Sequence, residues 1–205
     1  QKAVESQFSM FKNTLLGKLS ANVKGGGSSF DPARATSRLA LSGDFSILNG
    51  QFATLDIGRM AVEGVNQAVS KAADKIPQLK GKQLPVTQGR ESRYQVIRSK
   101  FQMSEGRFVA PDFLAVAEKD AGIDIKGVQK MDLLKQDLDA HFELTDTYNL
   151  TRARDVSLEI ADQKVDAVLA EKGKAVRFPI SVGCKLTQPC PSYTELPEHF
   201  AKVVA

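Results

Sequence analysis

The side chains that could carry out acid–base, nucleophilic or metal chemistry are few in this sequence. Its two histidines, His141 and His199, lie outside any arrangement typical of a Ser-His-Asp or Cys-His catalytic set. Neither histidine stands at metal-ligand spacing from Cys184 or Cys190, and one cysteine pair is too small for a structural zinc site. We therefore predict that the chain is not an enzyme and that it uses no metal and no cofactor.

Three carboxylates alternate along one predicted strand, at Asp137, Asp139 and Glu143. Paired carboxylates can act as general acid and general base. The residues between these carboxylates are mostly apolar, so the two-residue period of a strand places the three side chains and His141 together on a solvated face. We predict surface charges at these positions rather than acid–base catalysis.

The cysteines Cys184 and Cys190 lie six residues apart in the segment GCKLTQPCP. Pro189 and Pro191 flank the second cysteine and bend the chain, so the two sulfurs could meet. Two interpretations stay open. A disulfide would stabilise the fold by about 2–3 kcal/mol and would imply an oxidising compartment, whereas two independent buried thiols would imply neither.

Phosphate and nucleic-acid binding are the next chemistries to consider. The glycines of GGGSS at 25–29 are spaced as in a phosphate cradle, but the Lys-Ser/Thr that completes a P-loop is missing, so we predict a flexible turn. The net charge of +4 comes from 28 basic and 24 acidic residues, and the arginines are scattered along the chain. A nucleic-acid-binding module gathers its basic residues into one stripe, so we expect no nucleic-acid partner.

The overall composition is that of a globular domain. The 205 residues are 42% hydrophobic and 25% charged, which excludes collagen-like, disordered and disulfide-dense chains. No run approaches the length of apolar sequence that spans a membrane. The sequence begins at Gln1 rather than Met, and we expect a single domain over 1–205 cut from a longer protein.

The elements that must position these residues are mostly strands, because apolar and polar residues alternate over several segments. Strands are predicted at 19–23, 38–48, 51–57, 94–104, 107–118, 123–131, 138–144 and 176–186, with turns at 49–50, 105–106 and 120–122. Helices are predicted at 3–16, in a short turn that opens with Asp31 and Pro32, at 58–75, from about 162 to 172, and at 197–205, with an exposed loop at 78–92. The predicted fold class is α+β: a curved, antiparallel, up-and-down sheet, shaped as a groove or half-barrel, with a few amphipathic helices packed on it.

One face of this predicted sheet carries more apolar surface than the helices can cover. The residues expected to form or support an apolar groove are Phe45, Ile47, Phe101, Met103, Phe142, Leu144, Phe178, Ile180 and Val182. If helices cover the whole face, the chain is an ordinary domain with a closed core. If part of the face stays open, it needs a partner such as an acyl chain, another protein or the next stretch of the same sheet.

Several short motifs follow one another in a specific order between Leu19 and Pro191. They are GGGSS at 25–29, LSG at 41–43, FSILNG at 45–50, LDIG at 55–58, FQMSEGRF at 101–108 and FPISVGCKLTQP at 178–189. In this order they resemble the C-terminal periplasmic domain of the AsmA-like family, which is related to bridge-like lipid transfer proteins of the TamB type. Cys184 departs from the family pattern because glycine is usual there, and the 78–92 loop is longer than usual.

The resemblance implies a setting and a function. It implies a domain in the periplasm, tethered to the inner membrane by a segment absent from this chain, that takes part in lipid transport to the outer membrane and in integrity of the cell envelope. The implied partners are phospholipid or another acyl-chain lipid, the remaining β-groove of the full-length protein, and envelope proteins. The alternative is a structural or interaction module with a closed core that assists outer-membrane protein assembly.

Overall fold

The computed structural model describes residues 15–28, 32–52, 57–74, 80–81, 92–118, 123–146, 159–160, 163–164, 176–186 and 188–192. The strands are β1 (Leu15–Gly27), β2 (Leu39–Phe52), β3 (Ser92–Ser104), β4 (Arg107–Ala117), β5 (Asp124–Asp132), β6 (Asp137–Asp146), β7 (Glu159–Ile160), β8 (Gln163–Lys164), β9 (Val176–Lys185) and β10 (Gln188–Ser192). The helices are α1 (Pro32–Arg38) and α2 (Ile57–Ala72). Residues 3–14 of the helix predicted at 3–16, the helix predicted at 197–205 and the turn at 120–122 lie outside the described residues. Leu15 and Leu16 belong to β1, so the predicted helix is wrong at its C-terminal end.

Eight of the strands form one antiparallel sheet in the order β1-β2-β3-β4-β5-β6-β9-β10. Strands that follow each other in the chain are mostly neighbours in the sheet, so the predicted up-and-down arrangement is confirmed. β7 and β8 pair separately. The helix predicted at 58–75 and the short helix opening at Pro32 are confirmed as α2 and α1. Neither described helix has the length and apolar character needed to cross a bilayer.

The alternation of residue types gives the sheet two different faces. Residues that stand directly opposite each other on neighbouring strands share a face. A row of such pairs runs across six strands and is apolar throughout: Ile47, Ile97, Ala115, Ile125, Leu144 and Phe178. We call the face that carries this row the inner face and the opposite one the outer face. On β2 the outer face carries the exposed Ser42 and Asp44.

The dipeptide Asn49-Gly50, predicted as a hairpin turn, lies inside β2, so the predicted returning strand at 51–57 is wrong. β2 continues to Phe52, and α2 begins at Ile57. Asn49 takes a φ of 50° at a bulge against β1, and a Cβ on the buried Gly50 would lie 2.7 Å from Cδ1 of Ile97. Pairing with β1 on one side and β3 on the other outweighs the local preference of Asn-Gly for a turn.

The glycine run at 25–27 is also more regular than its composition predicts. Gly25, Gly26 and Gly27 pair with Leu41, Ala40 and Leu39, so β1 ends at Gly27 and not before it. Gly25 has a φ of 151°, and a Cβ at that position would overlap the carbonyl oxygen of Ala40. Glycine is needed here because β1 approaches the backbone of β2 closely.

Two further predictions need correction, and one strand was not predicted. Gln163 and Lys164 form β8 and not the start of a helix at about 162. β10 was not predicted, because the two prolines of Gln188–Ser192 are unusual in a strand. Within the predicted loop 78–92, residues 80–81 form an exposed turn, but Ser92 is buried as the first residue of β3.

Gly127 allows two aromatic rings to meet across β5. It stands between Phe113 of β4 and Phe142 of β6 in the ladder of the inner face. The centroids of those two rings are 5.5 Å apart. A Cβ on Gly127 would overlap the carbonyl oxygen of His141 and would lie 2.8 Å from Cδ1 of Phe142.

A bulge in β4 at Pro111 and Asp112 is completed by a side chain. The registers of β3 and β5 with β4 both shift at this point, so the ladder is interrupted. Oδ1 of Asp112 accepts hydrogen bonds from the backbone N–H of Lys100 at 2.7 Å and from Oγ of Ser99 at 3.0 Å. The backbone hydrogen bond from Lys100 is the main reason why the pKa of Asp112 is lowered from its ordinary value of 3.8.

We predict that Gly127→Ala destabilises the fold. The added methyl group meets backbone that cannot move aside freely, and overpacking of this kind costs about 1–3 kcal/mol. Denaturant unfolding measures the change. Gly26→Ala is the matched control, because a Cβ at Gly26 has open space around it. Equal stability of the two variants would contradict the close packing at Gly127.

We predict an acid-dependent loss of stability at the β4 bulge. Because the folded-state pKa of Asp112 is depressed, its carboxylate stabilises the fold fully above pH 3.8 and loses this effect as the pH falls through the folded value. Asp112→Asn keeps an acceptor oxygen that does not titrate. Its melting temperature should therefore fall less than that of the unchanged chain between about pH 5 and about pH 2.

The control for this measurement is Asp44→Asn, which removes an exposed carboxylate of β2. The prediction fails if both variants follow the same acid profile.

Candidate functional site

All nine residues predicted to form or support a groove lie on the inner face. The register places Phe45 and Ile47 of β2 in line with Phe101 and Met103 of β3 on this face, and Phe142 and Leu144 of β6 in line with Phe178, Ile180 and Val182 of β9. β4 and β5 separate the two groups and continue the same face between them. The structure therefore joins the nine positions through one continuous surface.

From β2 to β6 the inner face is buried at one end of the strands, which we call the closed end. β2 finishes there and β3 begins there. Tyr94 and Ile97 are 1% and 0% exposed, and Leu144 at the same end is 2% exposed. α2 lies between β2 and β3 in the chain, and its Val69 is fully buried, so the helix packs against other parts of the chain.

The buried position of Tyr94 also affects its hydroxyl. Burial raises the pKa of Tyr94, the nearby Asp124 raises it further, and a hydrogen bond with Ser92 opposes them. The Tyr94 ring meets Phe52 edge-on, with centroids 5.4 Å apart. The hydroxyl thus stays protonated, and Tyr94 acts as a core residue.

At the other end of the strands, which we call the open end, the same face remains accessible. The half-buried apolar residues there are Leu39, Leu41, Met103, Phe108, Met131, Leu138 and Val182. On β1 the inner face is accessible along the strand: Leu19, opposite the buried Ile47, is 62% exposed, and Val23, opposite Gly43, is 50% exposed. Apolar surface is therefore continuous from the core to solvent on a single face.

Aromatic rings line the middle of this face on β2, β3 and β4. Phe101 stacks on Phe108 with centroids 5.5 Å apart and planes inclined by 16°. Phe45 meets Phe101 at 6.5 Å. The flat side of this row consists of hydrocarbon without a hydrogen-bonding group, so it can contact methylene groups but cannot bind a polar ligand specifically.

The nine candidates divide into two kinds. Ile47, Leu144 and Ile180 are buried, and Phe101 is nearly so; these support the face from within the core. Phe45, Met103, Phe142 and Val182 are half-buried and line it. Phe178 is placed by its pairing with Leu144.

Five lining residues at the open end were absent from the predicted set: Leu39, Leu41, Phe108, Met131 and Leu138. They stand on the inner face at the open end, where Met131 pairs with Phe108 on one side and with Leu138 on the other. The signal was present in the sequence, because each continues the two-residue period of its strand to the strand end.

The outer face carries the carboxylates that were considered for acid–base work. Asp137 forms a short ion pair with Lys185, and Glu143 lies 4.0 Å from Arg177. Asp139 and His141 are both mostly exposed. The prediction of a solvated charged face is confirmed for these residues.

His141 links two neighbours on this face. Its Nδ1 lies 2.9 Å from Oγ of Ser181, and its Nε2 lies 3.1 Å from Oδ1 of Asp139. The histidine and aspartate side chains are 57% and 60% exposed, so water competes for every contact. We interpret the three as a surface hydrogen-bond chain. Within the described part of the chain, no three His, Cys, Asp or Glu side chains are close enough to hold a metal ion.

Cys184 and Cys190 are joined by a disulfide, the first of the two alternatives that the sequence left open. Their Cα atoms are 5.6 Å apart, within the usual range for such a bond. The bond ties the five-residue strand β10 to β9 at the edge of the sheet. The cysteine pair therefore has a structural role here.

We predict that removal of this disulfide lowers the melting temperature. The closed loop is short, so the expected loss is about 2–3 kcal/mol, concentrated in β10. Thermal unfolding with and without a reducing agent measures the effect. The double variant Cys184→Ser, Cys190→Ser should match the reduced chain and should not respond to the reducing agent, and a response of that variant would contradict the assignment.

Comparison with known proteins gives no match for this chain. No family model, no curated protein and no solved structure is similar to it. The inner face is mostly apolar, with Ser99 and Gln129 among its polar residues, and it is open at one end.

Proposed function

We propose that this chain is a non-enzymatic lipid-binding domain that holds acyl chains on the inner face of its sheet. The observation that carries the proposal is the gradient of burial along this face. From β2 to β6 the closed end is a buried core, whereas Leu41, Met103 and Phe108 at the open end remain half-exposed. A continuous accessible apolar patch of this kind is typical of a surface that binds an apolar partner.

The energetics favour a lipid as the occupant. Burial of methylene groups is worth about 0.8 kcal/mol each, so a 16-carbon chain that is largely covered would contribute on the order of 10 kcal/mol. No hydrogen bond or charge is needed for this gain. Phe45 and Phe108, which pack against the buried Phe101, offer hydrocarbon surface with which methylene groups can make contact.

We further propose that the domain belongs to the AsmA-like family and acts in the periplasm, in lipid transport to the outer membrane and in envelope integrity. The order of its sequence motifs and its antiparallel up-and-down sheet both support this setting. The Cys184–Cys190 disulfide is compatible with an oxidising compartment. In this proposal a segment outside the chain tethers the protein to the inner membrane, and neighbouring strands of the full-length protein continue the groove.

We predict that polar substitutions at the open end reduce lipid binding while the fold survives. Met103→Gln and Met131→Gln keep the side-chain length but place an amide on the inner face. An acyl chain bound there would remove water from the amide without replacing its hydrogen bonds, which costs free energy. The chain is expressed in bacteria and purified, and its solvent extract is analysed by mass spectrometry. A fluorescent phospholipid is then used to measure uptake. The double variant should lose most of its co-purified lipid and should bind the fluorescent lipid at least about tenfold more weakly.

The matched control is Leu114→Gln, a half-buried position on the outer face of β4. It should keep both the lipid and the uptake. The absence of co-purified lipid from the unchanged chain, together with no uptake, would overturn the proposal and would favour the interaction module, whose partner is a protein.

A further inference from the structure

Two turns meet at the open end and form one continuous edge. We call residues 105–107, between β3 and β4, and 132–136, between β5 and β6, the lip. The backbone N–H of Leu133 donates to the carbonyl oxygen of Gly106 at 2.8 Å, which joins the turns. The N–H of Leu186 donates to the carbonyl oxygen of Gln136 at 2.8 Å and links the lip to the end of β9.

The second turn of the lip is held in shape by Asp132. Its Oδ1 accepts hydrogen bonds from the backbone N–H of Leu134 at 3.1 Å and from that of Lys135 at 2.9 Å. The bond from Lys135 is the main reason why the pKa of Asp132 is lowered, so the carboxylate is ionised at neutral pH. Gln136 closes the turn with a φ of 58°.

This fixed turn presents a leucine to solvent. Leu134 is 55% exposed, and its Cδ1 would lie 2.8 Å from a Cβ on Gly106, so the side chain rests on the neighbouring turn with its outer side in water. Turn tips usually carry polar residues. An exposed leucine at the tip of a fixed turn, beside the accessible part of an apolar face, can contact an apolar medium.

The charges at the open end are mainly positive. Its basic side chains, taken over the described residues, are Lys24, Arg34, Arg38, Arg107, Lys130, Lys135 and Lys185. Its acidic side chains there are Glu105, Asp132, Asp137 and Asp139. Asp132, Asp137 and Asp139 each form an ion pair with a lysine of the same end, which leaves more basic than acidic side chains there. The excess of positive charge therefore favours an anionic partner.

We propose that the open end docks on the surface of an anionic phospholipid bilayer, with Leu134 inserted among the acyl chains and the basic side chains in contact with phosphate headgroups. The proposal deepens the lipid-binding function above and rests on it, because the accessible inner face begins at this same end. An acyl chain could then pass from the bilayer to the inner face along an apolar path.

The absence of tryptophan from the sequence makes a direct test possible. Leu134→Trp places a single tryptophan at the lip, and Leu48→Trp places one on the outer face, where Leu48 is 47% exposed. Vesicles of phosphatidylglycerol and phosphatidylethanolamine should shift the emission of the Leu134→Trp variant to the blue and leave that of the Leu48→Trp variant unchanged. Vesicles of phosphatidylcholine should shift neither, and added salt should weaken the response.

A second measurement uses sedimentation with the anionic vesicles. Leu134→Asp should lower the bound fraction, with a partition coefficient reduced about tenfold or more. Because the side chain is already exposed, the variant should fold and should keep its co-purified lipid. Equal blue shifts of the two tryptophan variants, no shift of either, or unchanged sedimentation of Leu134→Asp would each overturn the docking proposal.

The two proposals fail in distinguishable ways. A blue shift at the lip, in a protein that neither carries nor takes up lipid, would contradict the lipid-binding function and leave docking in place. Lipid in the purified protein, without any blue shift at the lip, would contradict docking alone.

Discussion

The pairing register of the sheet is the constraint on which the rest of this structure depends. Directly opposed residues share a face, so a one-residue shift of any strand would move its apolar side chains from the inner face to the solvent-exposed outer face. Across six strands the opposed residues are apolar from Ile47 to Phe178, which fixes every strand relative to the next. The same register places the apolar side chains of all these strands on the inner face. The described helices do not cover the whole of this face, so one end of it remains accessible.

The sequence predicted the strands well where the two-residue period was strong. β3, β4, β6 and β9 begin and end within two residues of the predicted bounds. Local turn signals were less reliable, because Asn49-Gly50 and the glycines of β1 both lie within strands. Their conformations are decided by pairing with neighbouring strands, and that information is absent from a short stretch of sequence. β10 was missed for the opposite reason, since its two prolines argue against a strand and its disulfide holds it in one.

The sequence predicted which face carries the candidate site, but it did not predict which of the nine residues are buried and which line the surface. Alternation alone placed all nine candidates on one face, as the register has them. It could not tell Ile47, which is buried, from Met103, which is half-exposed, because burial depends on which end of the sheet is covered. The lip was not predictable at all. Leu134 is exposed because Asp132 fixes the conformation of its own turn, and a hydrogen bond from Leu133 to Gly106 joins this turn to one that is distant in the sequence.

The two edge strands of the sheet, β1 and β10, differ in how well each could pair with a further strand. β10 contains Pro189 and Pro191, so only three of its five residues retain a backbone donor, and its length is less than half that of β1. β1 has thirteen residues with a proline at none of them, and among the described strands it pairs with β2 alone. Strand addition needs a run of unpaired donors and acceptors. Any extension of this sheet, by its own polypeptide or by another, would therefore proceed from β1 and terminate at β10.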